Sequence, residues 1–320
     1  MEETNLEYTK AKLSKRVFAF LTDQFLIFLM TFIFFSLTNM VLPYINAYNE
    51  VINERYELMD RSSLFNEDHI VITELVTNDE EFKDYNEKKN YLSEHIDEFY
   101  SNTYYFSDPN EIKEEYDDRK LNYRYNNVSL FETDSEGIVK EKVGNNEGLY
   151  NFYLEEINDH ALRYLYTNDI YLHSTRVIFI TSILNFLIWL ILMVSFFYLL
   201  FPLVIFKRGR QTIGRKIFSI SLISVNALNL SKSKYLYRYL FILFIMYILD
   251  FFSFMLPLLV SIGMMFISKR NQDLVDYIFN TYVIDSKNDE VYLDYLEYLD
   301  KTNKDKKIKL EDKDFKPTNK

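Results

Sequence analysis

The segment Lys15-Arg16-Val-Phe-Ala-Phe-Leu-Thr-Asp23 opens the first long hydrophobic run of the chain, which extends from Val17 to Leu42. As a helix, this run would reach roughly 39 Å, which is enough to cross a bilayer. Arg16 and Asp23 are seven residues apart, so a helix places both on one face, about 10 Å apart along its axis. A carboxylate at that depth costs roughly 2.5 to 3.5 kcal/mol unless it faces protein or water. We therefore expect Asp23 to pair with a cation, and we take Arg16 as that partner.

Three apolar runs indicate an α-helical integral membrane protein with several crossings: Val17 to Leu42, Val177 to Phe206 and Tyr239 to Ser268. Between the first two runs, Pro43 to Leu172 is polar and holds 30 acidic against 12 basic residues. By contrast, Phe206 to Arg238 holds eight basic residues and no acidic one. By the positive-inside bias, the N-terminus and this basic loop lie in the cytoplasm, and the acidic insert lies outside.

The third run can cross the membrane once or turn back within it. Asp250 and Pro257 divide it into two pieces of about a dozen residues, each short for an upright crossing. Because Lys269 and Arg270 follow the run, a re-entrant or tilted hairpin keeps these cations on the cytoplasmic side. We expect the hairpin, with one further span as the alternative.

The expected domains follow these boundaries. Residues 1–42 form the cytoplasmic N-terminus and the first transmembrane helix, and residues 43–172 form the extracytoplasmic insert. Residues 173–285 complete the membrane domain, and residues 286–320 form a charged cytoplasmic tail that we expect to be disordered after Lys301.

The insert is predicted to be mainly helical. Helical patterns cover Tyr44–Asp60, Glu80–Ser101, Pro109–Tyr125 and Leu149–Tyr166. Val128–Val143 is predicted to be a β-hairpin, because its turn Asp134-Ser-Glu-Gly137 ends on a glycine that can adopt positive φ.

Three separated segments resemble the RDD membrane family, which is named for one arginine and two aspartates. Arg16 to Asp23 is similar to the family's first helix, with the arginine at its start and an aspartate inside it. Gln211-Thr212-Ile-Gly214-Arg215-Lys216 is similar to the family's Gln-Thr-x-Gly-Lys loop. Lys269 to Ile284 resembles the closing segment, which supplies Asp276 as the second aspartate and a final Thr-x-Val strand.

The segments after the loop and at the end of the match are predicted strands. Ile217 to Val225 alternates apolar residues with serine, and with Thr281 to Ile284 it is expected to form a small cytoplasmic β-hairpin or sheet. The sequence departs from the family pattern at Arg210, Val275 and Asn280, where glycine, histidine and glycine are common.

Charged residues meet at the inner ends of these segments. Arg16, Asp23, Arg215, Arg238 and Asp276 are expected to form a cluster that either binds a ligand or ion or fastens the helix ends to the small sheet. Asn185 is too far along its helix to be the partner of Asp23.

The loop motif consists of Gln211, Thr212 and Gly214. Because Gly209 and Gly214 bracket Arg210 and Thr212, this loop is expected to form a tight turn. Because the spacing of a phosphate-binding loop is missing, we expect anionic lipid headgroups and not a nucleotide beside this turn.

Composition excludes several classes of function. The chain has no cysteine, which rules out disulfides and thiolate metal sites, and His69, His95, His160 and His173 share no ligand spacing. We find no motif of a hydrolase, metalloprotease or redox enzyme. We therefore expect no enzyme activity, no cofactor, no bound metal and no nucleic-acid partner. The lipid bilayer is the expected partner, and the oligomeric state stays open.

Two functions stay open from the sequence. The resemblance implies transport of an unknown ligand, with exchange of a small cation or proton proposed for some family members; Asp23 would bind the ion, and Asp250 would be a second intramembrane acid. The alternative is a membrane anchor or regulator whose acidic outer domain, residues 43–172, binds an unknown protein partner. Exchange needs a polar path through the outer half, where we find Asn39, Thr181, Ser182 and Asn185. Scarce glycine and proline with abundant asparagine and lysine favour a bacterial cell membrane.

Overall fold

The computed structural model describes residues 8–77, 82, 84–106, 109–268, 271–287 and 289–302. It divides the chain into two units: unit 1 is Met1–Thr38 with Leu184–Lys320, and unit 2 is Asn39–Ile183. The predictions made for Lys269, Arg270 and residues 303–320 lie outside the described residues.

In the described part of the chain, three helical segments are long and apolar enough to cross a membrane: Leu13–Tyr44, Asp169–Ile205 and Lys232–Phe252. The first is α1 (Leu13–Val41) with a short 3-10 turn after it. The second joins α8 (Asp169–Ser195) to a π-helical segment (Phe196–Ile205). The chain is thus mostly helical, and its apolar helices suit a lipid bilayer.

One face of α1 is buried against protein, and the opposite face is apolar and exposed. The buried residues recur every three or four positions, as one face of a helix requires, and are Arg16, Ala19, Asp23, Ile27 and Thr31. Phe18, Phe25 and Phe32 are exposed at a spacing of seven. Arg16 and Asp23 therefore face protein, while aromatic side chains face outward, as on a lipid-facing surface.

The third apolar stretch turns back on itself between Asp250 and Pro257, the two residues that were expected to divide it. α10 (Lys232–Phe241), a π-helical segment (Ile242–Leu249) and α11 (Asp250–Phe252) form one arm of 21 residues. The chain then reverses into α12 (Leu256–Ile267). The first arm alone is long enough for a crossing. The expectation of two short pieces was therefore wrong for the first arm, because its helix begins at Lys232, before the apolar run.

The reversal is shaped by Phe254 and Met255, whose φ angles are 51° and 63°. Pro257 occupies the first turn of α12, where its missing N–H leaves no hydrogen bond unmade. The Asp250 carboxylate accepts a hydrogen bond from the Leu258 N–H at 2.9 Å. Asp250 therefore satisfies a free N–H group at the start of α12.

Unit 1 contains a small sheet built from distant parts of the chain. β5 (Ile220–Ser224) pairs antiparallel with β6 (Thr281–Asp285), with Leu222 opposite Val283. Residues 9–11 extend the sheet on the other side of β6, where the Ala11 N–H donates to the Val283 carbonyl at 3.2 Å. The two predicted strands thus pair, but the prediction of a β-hairpin was wrong, because α10 to α12 lie between them.

Unit 2 contains four helices close to those predicted, namely α2 (Asn46–Arg61), α4 (Tyr85–Ser101), α5 (Pro109–Asn122) and α6 (Asn146–Glu155), the last continuing through a π-helical segment and α7 (Leu162–Tyr166). A short helix, α3 (Ile72–Thr77), was not predicted. Helix α4 begins at Tyr85 because the Asp84 side chain accepts from the N–H groups of Asn86 and Glu87. Glu80, the predicted start, lies outside the described residues.

The predicted hairpin of unit 2 is shorter than expected. β3 (Phe131–Thr133) pairs with β4 (Val139–Glu141) around the predicted turn, where Gly137 has a φ of 82°. Val128 and Ser129 instead form β2, which pairs with β1 (Arg124–Tyr125). Pairing with the preceding segment therefore shortens the hairpin at its N-terminal side.

Each unit has its own hydrophobic core. Unit 1 buries Ile27, Val194, Leu222 and Tyr235, from α1, α8, β5 and α10. Unit 2 buries a core rich in aromatic rings, which includes Phe99, Tyr100, Tyr116, Phe131 and Phe152. Within that core the buried Glu156 accepts hydrogen bonds from the Tyr100 hydroxyl at 2.7 Å and the Arg119 Nε at 2.9 Å. A buried carboxylate with these partners is satisfied.

Candidate functional site

Asp276 lies at the centre of a buried charge network in unit 1. Its Oδ2 accepts from the Arg16 guanidinium at 2.5 Å, and its Oδ1 accepts from the Arg238 guanidinium at 2.8 Å. The Thr281 hydroxyl donates to the same Oδ1 at 3.0 Å and accepts from Arg238 at 2.8 Å. α1, α10 and β6 are thereby joined to α13 (Leu274–Ile278), the helix that carries Asp276.

The surroundings of Asp276 favour its charged form. The residue is fully buried. Burial disfavours the carboxylate, but the guanidinium groups of Arg238, Arg16 and Arg215 outweigh it and hold the pKa of Asp276 below its usual range. Removing one partner from such a buried network costs about 3 to 5 kcal/mol, because a charge is left unpaired.

Asp23 does not pair with Arg16, although both lie on the same face of α1. Its Oδ2 accepts from the Thr212 hydroxyl at 2.5 Å, and its Oδ1 accepts from the Gly214 N–H at 2.7 Å. Arg16 instead donates to Asp276 and to the carbonyl of Asn271. The expected Arg16–Asp23 pair was therefore wrong, because neutral donors of the loop reach Asp23 and a second carboxylate reaches Arg16.

The loop motif fits closely against α1. Thr212 caps α9 (Ile213–Ile217) by accepting from the Arg215 N–H at 3.3 Å, while its hydroxyl hydrogen is donated to Asp23. A Cβ at Gly214 would come within 2.1 Å of the Ala19 carbonyl oxygen. Glycine is therefore required for this approach of loop and helix.

Gln211 points the other way, toward the sheet. Its Nε2 donates to the Ile220 carbonyl at 2.9 Å and to the Ser221 hydroxyl at 3.0 Å. Gln211, Thr212 and Gly214 are all buried. These three residues therefore contact protein within unit 1, and the expected contact of lipid headgroups with this turn stays a prediction.

Two of the departures from the family pattern fall where the backbone favours glycine. Arg210 has a φ of 43° and Asn280 has a φ of 47°. Asparagine tolerates this left-handed region better than most residues. Arg210 is held by its side chain, which donates to the carbonyls of Leu230 at 3.0 Å and Pro202 at 3.2 Å. Both substitutions are thus compatible with the fold.

A cavity of about 60 Å³ lies beside these two sets of contacts. Its charged lining consists of Arg16, Arg215, Arg238, Asp23 and Asp273. Among the described residues, Arg215 forms no ion pair, and no basic side chain lies within ion-pair distance of Asp23. The cavity therefore holds two carboxylates and one guanidinium that take no part in the two ion pairs of Asp276.

Asp273 is the site residue that the sequence reasoning missed. It caps α13, because its Oδ1 accepts from the Asp276 N–H at 2.6 Å. Burial raises the pKa of Asp273, and the neighbouring charge of Asp276 raises it further. The signal was present as an Asp-x-x-Asp spacing before an apolar turn, which is typical of a helix start.

Other polar residues singled out from the sequence lie elsewhere. Asp250 is at the reversal before α12. Asn185 donates to the Phe35 carbonyl at 3.4 Å and does not contact Asp23. In the part of the chain that the structure describes, no group of histidine, aspartate and glutamate side chains could hold a metal ion.

Comparison with known proteins supports the family resemblance. The RDD family model matches residues 160–280. This range holds Arg215, Arg238 and Asp276, while Arg16 and Asp23 lie outside it and contact it through the hydrogen bonds above. No curated protein and no solved structure matches the chain. The predicted resemblance is thereby confirmed: residues 160–280 of this chain match the RDD family of membrane proteins.

Proposed function

We propose that unit 1 is a membrane carrier that moves a proton, coupled to a second small solute, through the cavity beside Asp23. The observation that carries the proposal is the pair of cavity carboxylates, Asp23 and Asp273, next to the unpaired Arg215. Carboxylates in such surroundings are typical proton sites of membrane proteins, because their charge is costly there. Exchange of a proton also agrees with the family resemblance.

A proton suits this cavity better than a metal cation. Three guanidinium groups line it, and each repels a cation that has lost its water shell. Protonation instead removes the charge of a carboxylate without adding an ion to the cavity. Asp273 is the proposed acceptor, because it lies beside Asp276, whose negative charge disfavours a second ionised carboxylate there.

The proposed arrangement places both termini in the cytoplasm and residues 43–172 on the outer side of a bacterial cell membrane. The positive-inside bias supports this arrangement, because the eight basic residues of Phe206–Arg238 belong to the inner side. In this proposal the two arms around Phe254 form a hairpin from the cytoplasmic side. In this proposal the protein acts as a carrier and not as an enzyme.

Proton flux tests the proposal. The full chain is reconstituted in vesicles that carry a pH gradient, with sodium, potassium, chloride and lactate equal on both sides. We expect the native chain to speed equilibration of the internal pH, and Asp273→Asn and Asp23→Asn to abolish this effect. Asp118→Asn, at an exposed position of α5, is the matched control. Flux that is equal in native and empty vesicles would contradict the proposal.

The alternative function is a membrane anchor whose outer unit binds a protein partner. The observation that favours it is the saturation of Asp276, whose two oxygens accept from Arg16, Arg238 and Thr281. Unit 2 also has its own core, so it could act as a separate binding domain. Normal accumulation of the protein together with absent flux would favour the anchor.

A further inference from the structure

Arg215 has the chemistry to receive an anion. In the described part of the chain it forms no ion pair, although it lines the cavity together with two carboxylates. Both oxygens of Asp276 accept from other arginines, and both oxygens of Asp23 accept from the loop. A partly buried guanidinium without a carboxylate partner is costly, so an anion beside it would be stabilised.

The charge balance of the cavity couples that anion to a proton. Arg16, Arg238 and Asp276 together leave one positive charge, and Arg215 adds a second. Asp23 and Asp273 balance these two charges when both are ionised. A monovalent anion at Arg215 then leaves one excess negative charge, which a proton on Asp273 removes.

Asp273 is better suited than Asp23 to take this proton. Two donors, the Thr212 hydroxyl and the Gly214 N–H, stabilise the negative charge of Asp23. Asp273 accepts one backbone hydrogen bond and lies beside the negative Asp276. Burial and then the charge of Asp276 raise the pKa of Asp273, while the charges of Arg238 and Arg16 oppose this shift.

The shape and the apolar lining select the kind of anion. A guanidinium group presents parallel N–H donors that match the two oxygens of a carboxylate. Ile242, Leu258, Ile262 and Met265 also line the cavity and suit a short aliphatic part. At about 10 to 15 Å³ for each water-sized group, a volume of about 60 Å³ holds roughly four to six such groups, which is enough for acetate.

We propose that the cavity of unit 1 binds a small monocarboxylate together with one proton, with the carboxylate on Arg215 and the proton on Asp273. This inference names the second solute of the proposed carrier and rests on that proposed function.

Calorimetry of the full chain in lipid nanodiscs tests the inference with acetate as the probe. Titrations in two buffers of different ionisation enthalpy give the number of protons taken up on binding. We expect saturable binding with about one proton taken up, and tighter binding as the pH falls. Methylammonium, a cation of similar size, is expected not to bind. Absent acetate binding, binding without proton uptake, or preferred binding of methylammonium would each overturn the inference.

Two variants assign the roles. Arg215→Gln is expected to weaken acetate binding by at least about tenfold, since the charged donors are lost. Asp273→Asn keeps a good helix cap and is expected to retain acetate binding but take up no proton. Native acetate affinity in Arg215→Gln would overturn the role of Arg215. Native proton uptake in Asp273→Asn would overturn the role of Asp273.

Arg208→Gln is the matched control, because Arg208 is exposed and pairs with Glu290 and Glu297 outside the cavity lining. If Arg215→Gln fails to fold, Arg215→Lys tests the same point, because lysine keeps the charge but not the fork of donors. We expect it to weaken binding as well, and native affinity in this variant would overturn the role of Arg215.

The inference and the proposed function fail in different experiments. Proton flux without acetate binding would overturn the inference and leave the carrier in place. Acetate binding with proton uptake but without flux would support the site and contradict the carrier.

Discussion

Gly214 shows why the loop motif contains a glycine at this position. The loop approaches α1 so closely that a Cβ would lie within 2.1 Å of the Ala19 carbonyl oxygen and 2.9 Å of the Asp23 Cγ. The hydrogen bond from the Gly214 N–H to Asp23 depends on this approach. The glycine is therefore required by contact with a backbone atom that cannot move without displacing the helix.

Gly214→Ala is expected to lower the stability of unit 1 by about 1 to 3 kcal/mol, because the added methyl group forces loop and helix apart. Thermal unfolding of the purified chain measures the change. Gly263→Ala is the matched control: Gly263 lies in α12 with nothing within 4 Å of an added Cβ, and alanine should stabilise the helix by about 0.5 to 1 kcal/mol. Equal effects of the two changes would contradict the tight contact.

The members of the charge cluster were predictable from the sequence, but their partners were not. Helical spacing places Arg16 and Asp23 on one face of α1. Which carboxylate reaches which guanidinium depends on how α13 and the loop pack against that face, and local spacing carries no information about this packing. Asp273 was not predicted as a site residue for the same reason. The sequence pattern indicates a helix cap at Asp273, but it does not show that this residue lines a cavity.

A double-mutant cycle tests the corrected pairing. Arg16→Gln and Asp276→Asn should be strongly coupled, by at least about 1 kcal/mol, because each removes the partner of the other. Arg16→Gln and Asp23→Asn should be additive to within about 0.5 kcal/mol. Thermal unfolding of the single and double variants gives both values. Stronger coupling of Arg16 to Asp23 than to Asp276 would support the Arg16–Asp23 pair and contradict the contacts described above.

Elements with local signals were predicted well, and those that depend on distant partners were not. The turn of the β3–β4 hairpin is encoded within a few residues: Asp134 accepts from the N–H groups of Glu136 and Ile138, and Gly137 has positive φ. The partner of β5 lies beyond α10 and α12, so a strand pattern identified the strand but not its connection. The reversal at Phe254 and Met255 likewise has no glycine to mark it.

The stability of the β3–β4 turn should depend on pH in the acidic range. The Lys140 side chain, and then the Ile138 and Glu136 N–H groups, lower the pKa of Asp134 to about 2. Because this pKa is below the unfolded value near 3.8, the stabilisation is complete above the unfolded value and is lost as the pH falls toward about 2. NMR titration of the Asp134 side chain measures the midpoint.

Lys140→Ala should move this midpoint upward, while Lys142→Ala, with a side chain that is not a partner of Asp134, should leave it in place. A native midpoint near 4 would contradict the contacts of Asp134.

At the scale of the whole molecule, segregation of apolar and acidic residues predicts a membrane protein with a polar insert. The three candidate spans and the RDD match over residues 160–280 support this class. The helices, helix caps and turns could be predicted from the sequence because the residues that form each of them are close together along the chain. The charge bias predicts which segments face the cytoplasm. This orientation decides whether the cavity of unit 1 is reached from the cytoplasm.

The claim that residues 43–172 lie outside and the end of β6 lies in the cytoplasm is tested most directly by the accessibility of single cysteines in intact cells. The native chain contains no cysteine. Ser135→Cys lies in the exposed turn of unit 2, and Lys287→Cys lies at an exposed position after β6. With a membrane-impermeant maleimide, we expect labelling of Ser135→Cys in intact cells and labelling of Lys287→Cys only after lysis. Labelling of Lys287→Cys in intact cells would place the end of β6 outside and contradict the account.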